Sequence, residues 1–530
     1  MAAAPPLRRS PLPDAFNVAD YYLLPPLKAG RADRPYLYCL DQVLTYGQLN
    51  ERANRVGNAL RTLGVEPEHR VLLLLLESIA FPPCFFGAIR IGAVAVPIST
   101  MLTAQDYHYY LNDSRAQVLI VDQALWPQVE PILAAAPRLK HVIVANGQVP
   151  GRPSLDDLLA RAAPQLETVP MSKDDAAFWL YTSGSTGAPK AAVHLHHDMP
   201  YCTDAFAGPV LGLAENDLSF SAAKFFFAYG LGNSLYFPLA TGGRAVVQPA
   251  RPTPEAVFQT LERFKPTVFY GVPTLYNAML NTYEAWLEGK SNPPARLPQL
   301  EYLRFSVSAG ESLPPELFLR WKKHFGTEIL DGIGSTEMCH IFISNRHGAV
   351  KPGSTGQIVP GYEAKLVDEH GQSVPDGQVG ALLVKGDSAS PYYWNKHEKT
   401  KATMLGEWMV TGDQFHRDGD GFFWYHGRND DMMKVSGAWV SPIEIENALL
   451  GHPAVAECAV VGHADAAGLT KPKAFVVVKA GHAPGEPLAE ALRAHVRERI
   501  AGFKAPHWVD FVADLPKTAT GKIQRFHLRK

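Results

Sequence analysis

A stretch rich in glycine and hydroxyl residues, TSGSTGAPK, covers Thr182 to Lys190. It lies between FWLY and AAVHLH, two runs typical of β-strands, so the sequence predicts strand, loop and strand. Small residues let backbone N–H groups and Ser or Thr oxygens converge on an anion, and Lys190 adds a positive charge. The pattern therefore predicts phosphate chemistry. A flexible Ser/Gly linker is the alternative, but a linker has no use for the Pro-Lys ending.

The stretch differs from the nucleotide-binding pattern GxxxxGK[ST], because no Gly-Lys pair closes it. Gly521 and Lys522 do not supply that pattern either, since Pro516 stands five residues before Gly521 and Ile523 replaces the hydroxyl residue. These departures disfavour a kinase or a motor ATPase.

Four further segments carry residues suited to nucleotide chemistry: GSTE at 334–337, TGD at 411–413, GRNDDMMKVSG at 427–437 and PKTATGK at 516–522. Taken singly, Asp413 is explained as a turn residue, Arg428 as a surface cation and Lys522 as one more tail lysine. Their joint order, behind TSGSTGAPK, resembles the adenylate-forming superfamily of acyl-CoA and aryl-CoA synthetases, luciferases and adenylation domains of peptide synthetases. The resemblance covers roughly Thr45 to the C-terminus.

This resemblance implies an α/β fold with two domains. A large N-terminal domain, residues 1–429, of helix-covered and mainly parallel sheets would bind ATP and the acid. A small α+β C-terminal domain, residues 430–530, would be mobile and carry the catalytic lysine. In the family the small domain rotates between the two half-reactions, and Asp430 is predicted as the hinge.

The resemblance also implies the roles of individual residues. The catalytic set is Lys522, Glu337, Thr336 and Lys190, and Glu337 is also the magnesium ligand. The predicted cofactor-binding residues are Thr182, Ser183, Gly184, Ser185, Thr186, Gly187, Ser308, Ala309, Glu311, Asp331, Gly332, Ile333, Asp413, Arg428 and Gly437. Ile333 stands where the family commonly has an aromatic residue against adenine, so we expect aliphatic packing there.

The implied chemistry has two steps and needs ATP, Mg²⁺ and coenzyme A, the last as a co-substrate. A carboxylate is a poor electrophile, so activation as an acyl adenylate supplies AMP as the leaving group before a thiol attacks. In the first step two anions approach each other, and cations must offset their repulsion. No general base is required, because the attacking carboxylate is already ionised.

The segment KFFFAYGLGN, residues 224–233, lies where the family builds its acid pocket. Alanine at position 228 disfavours amino-acid substrates, which need an aspartate for the ammonium group. The predicted substrate-binding residues are Phe227, Ala228, Tyr229, Gly334, His340 and Ile341. FFAYGLGN and DGIGSTEMCHIF together look like benzoate-CoA ligases, so we expect benzoate or a lightly substituted benzoate.

Three alternatives stay open at this point. The run Phe225 to Phe227 is also explained as ordinary hydrophobic core. The substrate could be another short, medium-chain or arylalkanoic acid. The chain could also be a non-catalytic adenylate-binding protein, although the presence of Lys522, Glu337, Asp413 and Arg428 argues against this.

The candidate site residues are expected to be held in place by predicted helices and strands. TYGQLNERANRVGNALRTLG, residues 45–64, has apolar residues at helical spacing and a glycine stop. The run VLLLLL and the segments AQVLIVD, HVIVAN, RAVVQ, PTVFYG and YLRFSVSAG predict buried strands near helices. After residue 437, PIEIENALLGHP and LAEALRAHVRERI predict helices, and ECAVVGH and KAFVVVKA predict strands.

Composition narrows the class of protein. The 530 residues exceed the size of a single core, and a net charge of -2 offers no footprint for nucleic acid or an anionic membrane. Five scattered cysteines fit neither a disulfide framework nor a zinc knuckle and favour the cytoplasm. The histidines of HLHHD are better explained as strand and loop residues than as metal ligands. Partners predicted besides substrates are a protein acetyltransferase acting on Lys522 and a second copy of the chain.

Overall fold

The computed structural model describes residues 2–3, 11–184, 187–435, 438–465, 469–517 and 523–529. Two large, mainly parallel sheets, an antiparallel sheet and a small C-terminal unit make up the described chain. The α/β fold class predicted from the sequence is confirmed. Among these residues no helix has the length and apolarity that a membrane span requires.

The largest sheet has nine strands, and its central pairs are parallel. In spatial order the strands are Gln357–Ile358, Ile341–Ser344, Ile329–Gly334, Phe305–Ser308, Val268–Gly271, Leu218–Ser221, Arg244–Val247, Pro35–Cys39 and Gln42–Thr45. The three strands predicted from RAVVQ, PTVFYG and YLRFSVSAG are all confirmed here. Because parallel strands end at the same sheet edge, this sheet brings GSTE and the residues from Ser308 to Glu311 to one place.

The second sheet has six strands, of which five are parallel. Their spatial order is His141–Ala145, Val118–Asp122, Arg70–Leu74, Val94–Pro97, Ala176–Gly184 and Gly187–Leu195. The last two strands form an antiparallel hairpin that pairs Thr182 with Lys190. The nine-residue loop predicted for TSGSTGAPK is therefore wrong in extent, because cross-strand pairing continues to Gly184 and Gly187 at the tip.

An antiparallel sheet follows along the chain. Its strands are Ala2–Ala3, Glu363–Val367, Gly380–Lys385, Trp408–Arg417 and Met404–Leu405 in spatial order, with Phe423–Arg428 also paired to Trp408–Arg417. Two motif residues lie on this last pair, where Asp413 stands opposite Arg428 in the register.

Helices cover the sheets on the N-terminal side of residue 430. They are Val18–Lys28, Tyr46–Thr62, Phe81–Arg90, Ala104–Ser114, Trp126–Val129, Leu155–Arg161, Asp198–Cys202, Ala228–Leu231, Phe237–Thr241, Pro254–Phe264, Pro273–Leu287, Pro315–Phe325 and His397–Thr403. The helix predicted over 45–64 is confirmed. Thr45 caps it, with a capping box to Gln48, and Gly64 follows it at φ +76°.

The C-terminal unit has its own core. Helices Pro442–Leu450, Glu486–Arg497 and Arg525–Leu528 accompany strands Met433–Val435, Ala438–Val440, Val455–Ala464, Thr470–Val478 and Trp508–Phe511. Its buried apolar residues, between Met433 and Val496, form a cluster separate from those of the preceding sheets. The helices and strands predicted after residue 437 are confirmed, and the boundary at residue 430 stays a prediction.

Candidate active site

A cavity of about 600 Å³ lies between the large sheets and the C-terminal unit. Its wall combines residues from separate motifs of the sequence. The predicted nucleotide residues in that wall are Glu311, Asp331, Gly332, Ile333, Asp413 and Arg428, and the predicted substrate residue Gly334 also lies in it. The C-terminal unit contributes further wall residues, among them Ala456, Lys479 and Ile523. The fold therefore brings dispersed segments together around one cavity.

The TGD segment and the arginine of GRNDD meet in this cavity. An oxygen of Asp413 lies 3.3 Å from Nη1 of Arg428. The two residues face each other across adjacent strands, and Gly412 between them has φ +78°. A Cβ at Gly412 would come within 2.8 Å of Nη2 of Arg428, so a glycine is needed for this close approach. The pair presents an acceptor and a donor side by side, as a sugar diol requires.

Asp331 stands within the strand Ile329–Gly334 with its carboxyl group buried. Burial raises the pKa of Asp331 well above its ordinary value, and the nearby polar groups of Leu313 and Ser308 only partly oppose this. Oδ1 of Asp331 has no hydrogen-bond partner among the described atoms. Such an orphaned polar atom in a cavity wall is suited to a ligand amine.

A second polar cluster joins TSGSTGAPK to GSTE. The ammonium of Lys190 lies 4.2 Å from the ring centroid of Tyr393, and the Tyr393 hydroxyl donates to Glu337 Oε1 at 2.5 Å. Burial lowers the pKa of Lys190, while Glu337 opposes that shift and Arg428 adds to it. The cluster therefore places a cation and a carboxylate beside one tyrosine. Sequence reasoning missed Tyr393, which lies in the unremarkable segment SPYYWN.

The backbone of GSTE is fixed by buried partners. His194 lies between Asp198, whose Oδ2 is 2.7 Å from Nδ1, and the carbonyl of Thr336, which is 2.8 Å from Nε2. Ser390 donates its backbone N–H to the carbonyl of Glu337 at 2.7 Å. The HLHHD segment thus contributes a histidine to the support of GSTE, a contact that sequence order alone does not reveal.

The predicted acid pocket is an aromatic enclosure around His340. The His340 ring centroid lies 4.6 Å from that of Phe237 and 5.5 Å from that of Phe206. Its Nε2 lies near two acceptors, the carbonyl of Tyr229 at 3.3 Å and Oδ1 of Asn233 at 3.2 Å, so Nε2 carries the hydrogen. Burial lowers the pKa of His340 to about 3, which keeps the ring neutral.

The remaining predicted pocket residues differ in exposure. Phe227, Ala228 and Tyr229 are half-buried, and Ile341 is buried. Phe225 and Phe226 are buried, and Phe225 stacks on Phe81 with centroids 4.6 Å apart. The core explanation is thus confirmed for these two phenylalanines.

Other predicted residues stand outside the cavity wall or outside the described chain. Ser308 and Ala309 are buried behind it, and Thr182 and Thr336 are half-buried. Ser183, Gly184 and Gly187 belong to the hairpin strands by their backbone, and Asp430 is exposed. Lys522, Gly437, Ser185 and Thr186 lie outside the described residues.

Comparisons with known proteins agree with this geometry. A family model described as AMP-binding enzyme matches residues 28–394, and one described as AMP-binding enzyme C-terminal domain matches residues 444–522. A benzoate–CoA ligase of Thauera aromatica is 50% identical, over 98% of this chain and 96% of its own.

Two solved structures are similar over nearly the whole chain. One is the anthranilate CoA ligase AuaEII in complex with anthranoyl-AMP, with a TM-score of 0.91, 43% identity, and coverage of 98% of this chain and 97% of that chain. The other is a benzoate CoA ligase from Burkholderia xenovorans LB400, with a TM-score of 0.88, 48% identity, and coverage of 97% and 100%.

Proposed function

Because this chain belongs to the AMP-binding enzyme family, we propose that it is an ATP-dependent acid–thiol ligase that converts benzoate, or a lightly substituted benzoate, to its CoA thioester. The observation that carries the proposal is the cavity in which Asp331, Asp413 and Arg428 meet. The 50% identity to a benzoate–CoA ligase over 98% of the chain supports the choice of acid.

In the first step a benzoate oxygen attacks the α-phosphorus of ATP, a new O–P bond forms, and diphosphate leaves. Asp413 accepts from the ribose hydroxyls and Arg428 donates to the same sugar. Asp331 accepts from the exocyclic amine of adenine, while Ile333 and Gly332 line the base. Lys190 and the hairpin tip neutralise the β- and γ-phosphates, and Lys522 approaches the α-phosphate and the benzoate carboxylate.

The residues around Glu337 fit a magnesium ion. Mg²⁺ prefers oxygen ligands and is commonly held by one or two carboxylates together with substrate phosphates. Within the described chain no group of three or more His, Cys, Asp and Glu side chains could hold a metal by itself. When bound, Mg²⁺ supplies positive charge against the phosphate oxygens. Tyr393, which donates to Glu337, fixes the carboxylate for that role.

In the second step the thiol of coenzyme A attacks the acyl carbon of the adenylate, a C–S bond forms, and AMP leaves. The predicted role of Gly437 is to border the path of the thiol, and rotation of residues 430–530 about Asp430 would exchange the groups that face the adenylate. This step needs no further cation, because AMP is already a good leaving group.

The acid pocket selects by shape and polarity. His340 is neutral and enclosed by aromatic rings, so this end of the pocket offers no charge to an ammonium or to a second carboxylate. Tyr229 donates its hydroxyl to the carbonyl of Val307 at 3.0 Å, which holds the ring in place. A flat aromatic ring is the acid that fills such a slot.

We further propose that the enzyme acts in the cytoplasm, and the five free and buried cysteines support this proposal. Acetylation of Lys522 by a protein acetyltransferase would remove its charge and stop the first step. Mass spectrometry combined with activity before and after deacetylase treatment tests this regulation. A homodimer is a further prediction, for which the mass in solution is the measurement.

A panel of acids tests the proposed function. ATP-dependent release of AMP is measured with and without coenzyme A for benzoate, aminobenzoates, hydroxybenzoates, cinnamate, hexanoate and acetate. We expect benzoate or a monosubstituted benzoate to give the highest kcat/KM, with AMP release dependent on coenzyme A. A preference for hexanoate, cinnamate or acetate would show that benzoate is not the preferred substrate. Absence of pyrophosphate exchange with every acid would favour a non-catalytic binding protein.

A further inference from the structure

Two hydrogen bonds cross the cavity from the large sheets to the C-terminal unit. The side-chain amide of Asn277 donates to the carbonyl of Ala456 at 3.0 Å. The backbone N–H of Ile523 donates to Oε1 of Glu311 at 3.2 Å. Asn277 lies on helix Pro273–Leu287, and Ala456 lies on the first long strand of the C-terminal unit. Both contacts therefore depend on how the two units are oriented.

The strand that carries Ala456 is irregular at this point. Val455 pairs with Val478 and Glu457 pairs with Val477, so the register shifts and Ala456 has no opposite residue. An extra residue of this kind redirects a backbone group away from the ladder. Here the redirected carbonyl of Ala456 accepts from Asn277. The irregularity therefore serves a contact outside the C-terminal unit.

Asn277 is held from behind by Arg320. Nη1 of Arg320 donates to Oδ1 of Asn277 at 3.2 Å, and Nη2 donates to Oδ1 of Asn281 at 2.9 Å. Arg320 is also paired with Glu284 at 2.7 Å. Since its oxygen is occupied by Arg320, Asn277 presents its amide hydrogens toward Ala456. The donor is thus pre-oriented before the C-terminal unit arrives.

We propose that Asn277 is a positioning residue that locks the C-terminal unit, through the Ala456 carbonyl, in the orientation used to form the adenylate. The proposal rests on the ligase function proposed above. The orientation is assigned by Ile523, which follows Lys522 in the sequence and is bonded to Glu311 in the wall of the nucleotide cavity. Asn277 thereby assists the first half-reaction and takes no part in the second.

The test replaces Asn277 by aspartate, a change of one amide nitrogen to oxygen. Asn277→Asp keeps the acceptor for Arg320 but removes the donor to Ala456 and sets a carboxylate against a carbonyl. Asn281→Asp is the matched control, because it makes the same change beside Arg320 on the same helix, and in the described chain its hydrogen bonds do not reach the C-terminal unit. Asn277→Ala and Asn281→Ala form a second pair without added charge.

Each variant is assayed in two half-reactions. Benzoate-dependent exchange of pyrophosphate into ATP reports adenylate formation, and single-turnover reaction of supplied benzoyl-AMP with coenzyme A reports thioester formation. We expect exchange by Asn277→Asp to be about tenfold slower than by Asn281→Asp, from the loss of one hydrogen bond and the new repulsion. Thioester formation should stay within about twofold of the control, because the lock acts only in the first orientation.

The outcomes separate this inference from the proposed function. Equal exchange rates in the two aspartate variants, or equal losses in both half-reactions, would overturn the role of Asn277. If Asn277→Asp unfolds at a lower temperature than its control, the alanine pair is compared below both melting temperatures. Slower exchange by Asn277→Ala then supports the role, and equal exchange overturns it. A wild-type protein without benzoate-dependent exchange would instead refute the ligase assignment itself.

Discussion

The nucleotide cavity and the acid pocket are built in different ways. The cavity draws its wall from residues far apart in the sequence and from both the large sheets and the C-terminal unit. The predicted acid pocket centres on His340, which is enclosed by aromatic rings of the N-terminal part of the chain. The cavity therefore depends on the orientation of two units, and the pocket depends on local packing alone.

This difference indicates where each kind of specificity resides. The charged groups predicted to act on ATP face a space whose shape changes if the C-terminal unit moves, so they suit a reaction with two stages. The rings around His340 are closely packed, so the acid pocket predicted there should favour one shape of acid. Substitutions in the two regions should accordingly fail in different ways.

The largest effect is expected for Lys522→Ala, which removes the lysine predicted to act in the nucleotide cavity. Removing the cation near the α-phosphate should slow pyrophosphate exchange by about 10²- to 10³-fold. Thioester formation from supplied benzoyl-AMP should change little. Equal rates of adenylate formation in the variant and the wild type would remove Lys522 from the mechanism.

Gly334→Ala tests the packing against His340, at a position that also lines the cavity wall. The added Cβ would lie 2.4 Å from the carbonyl oxygen of His340, so the backbone must shift. We expect a loss of about 1–3 kcal/mol in the free energy of unfolding and a lower kcat/KM for benzoate. Gly208→Ala is the control, because its Cβ would have no atom within 4 Å. Urea unfolding curves that coincide for the two variants would contradict the packing argument.

Tyr393→Phe tests the polar cluster formed by Lys190, Tyr393 and Glu337. The change removes the hydroxyl that donates to Glu337 and leaves the ring beside Lys190. A hydrogen bond to a charged group contributes about 1.5–3 kcal/mol, so the Mg²⁺ concentration for half-maximal exchange should rise about tenfold or more. The exposed neighbour gives the control Tyr392→Phe, which should leave that concentration unchanged.

The most gradual effect is a pH dependence of stability that arises from His340. Burial lowers the pKa of His340 from 6.5 to about 3, so the folded state excludes a proton that the unfolded state binds below about pH 6.5. The stabilising contribution of neutral His340 is therefore complete above pH 6.5 and is lost as the pH falls toward 3. The slope is up to about 1.4 kcal/mol per pH unit, and His340→Gln should reduce it in urea titrations between pH 6.5 and 5.

Local signals sufficed for most elements of the fold. The helix from Tyr46 to Thr62 and the strands from RAVVQ and YLRFSVSAG follow from apolar periodicity and from caps that act within a few residues. The extent of the hairpin around TSGSTGAPK did not follow, since small residues signal a loop while cross-strand pairing is a non-local interaction. Apolar periodicity and turn residues report short-range preferences only.

The residues of the candidate site also differ in whether local sequence signals could predict them. Asp413, Arg428 and Glu337 could be predicted because their motifs occur in a fixed order, a property of the sequence. Tyr393 beside Glu337, His194 at the Thr336 carbonyl and Asn277 at Ala456 were missed, because each contact joins residues more than fifty positions apart. Contacts between such distant residues leave no recognisable pattern in the local sequence.

The sequence by itself determined the reaction class, since phosphate chemistry requires glycines, hydroxyls and cations whose spacing survives in a linear string. It also determined the elements, because backbone preferences are set by neighbouring side chains. Only the tertiary structure decided which charges share a cavity and which rings enclose His340. Those outcomes depend on the packing of distant segments, whose free energy is a sum over the whole core.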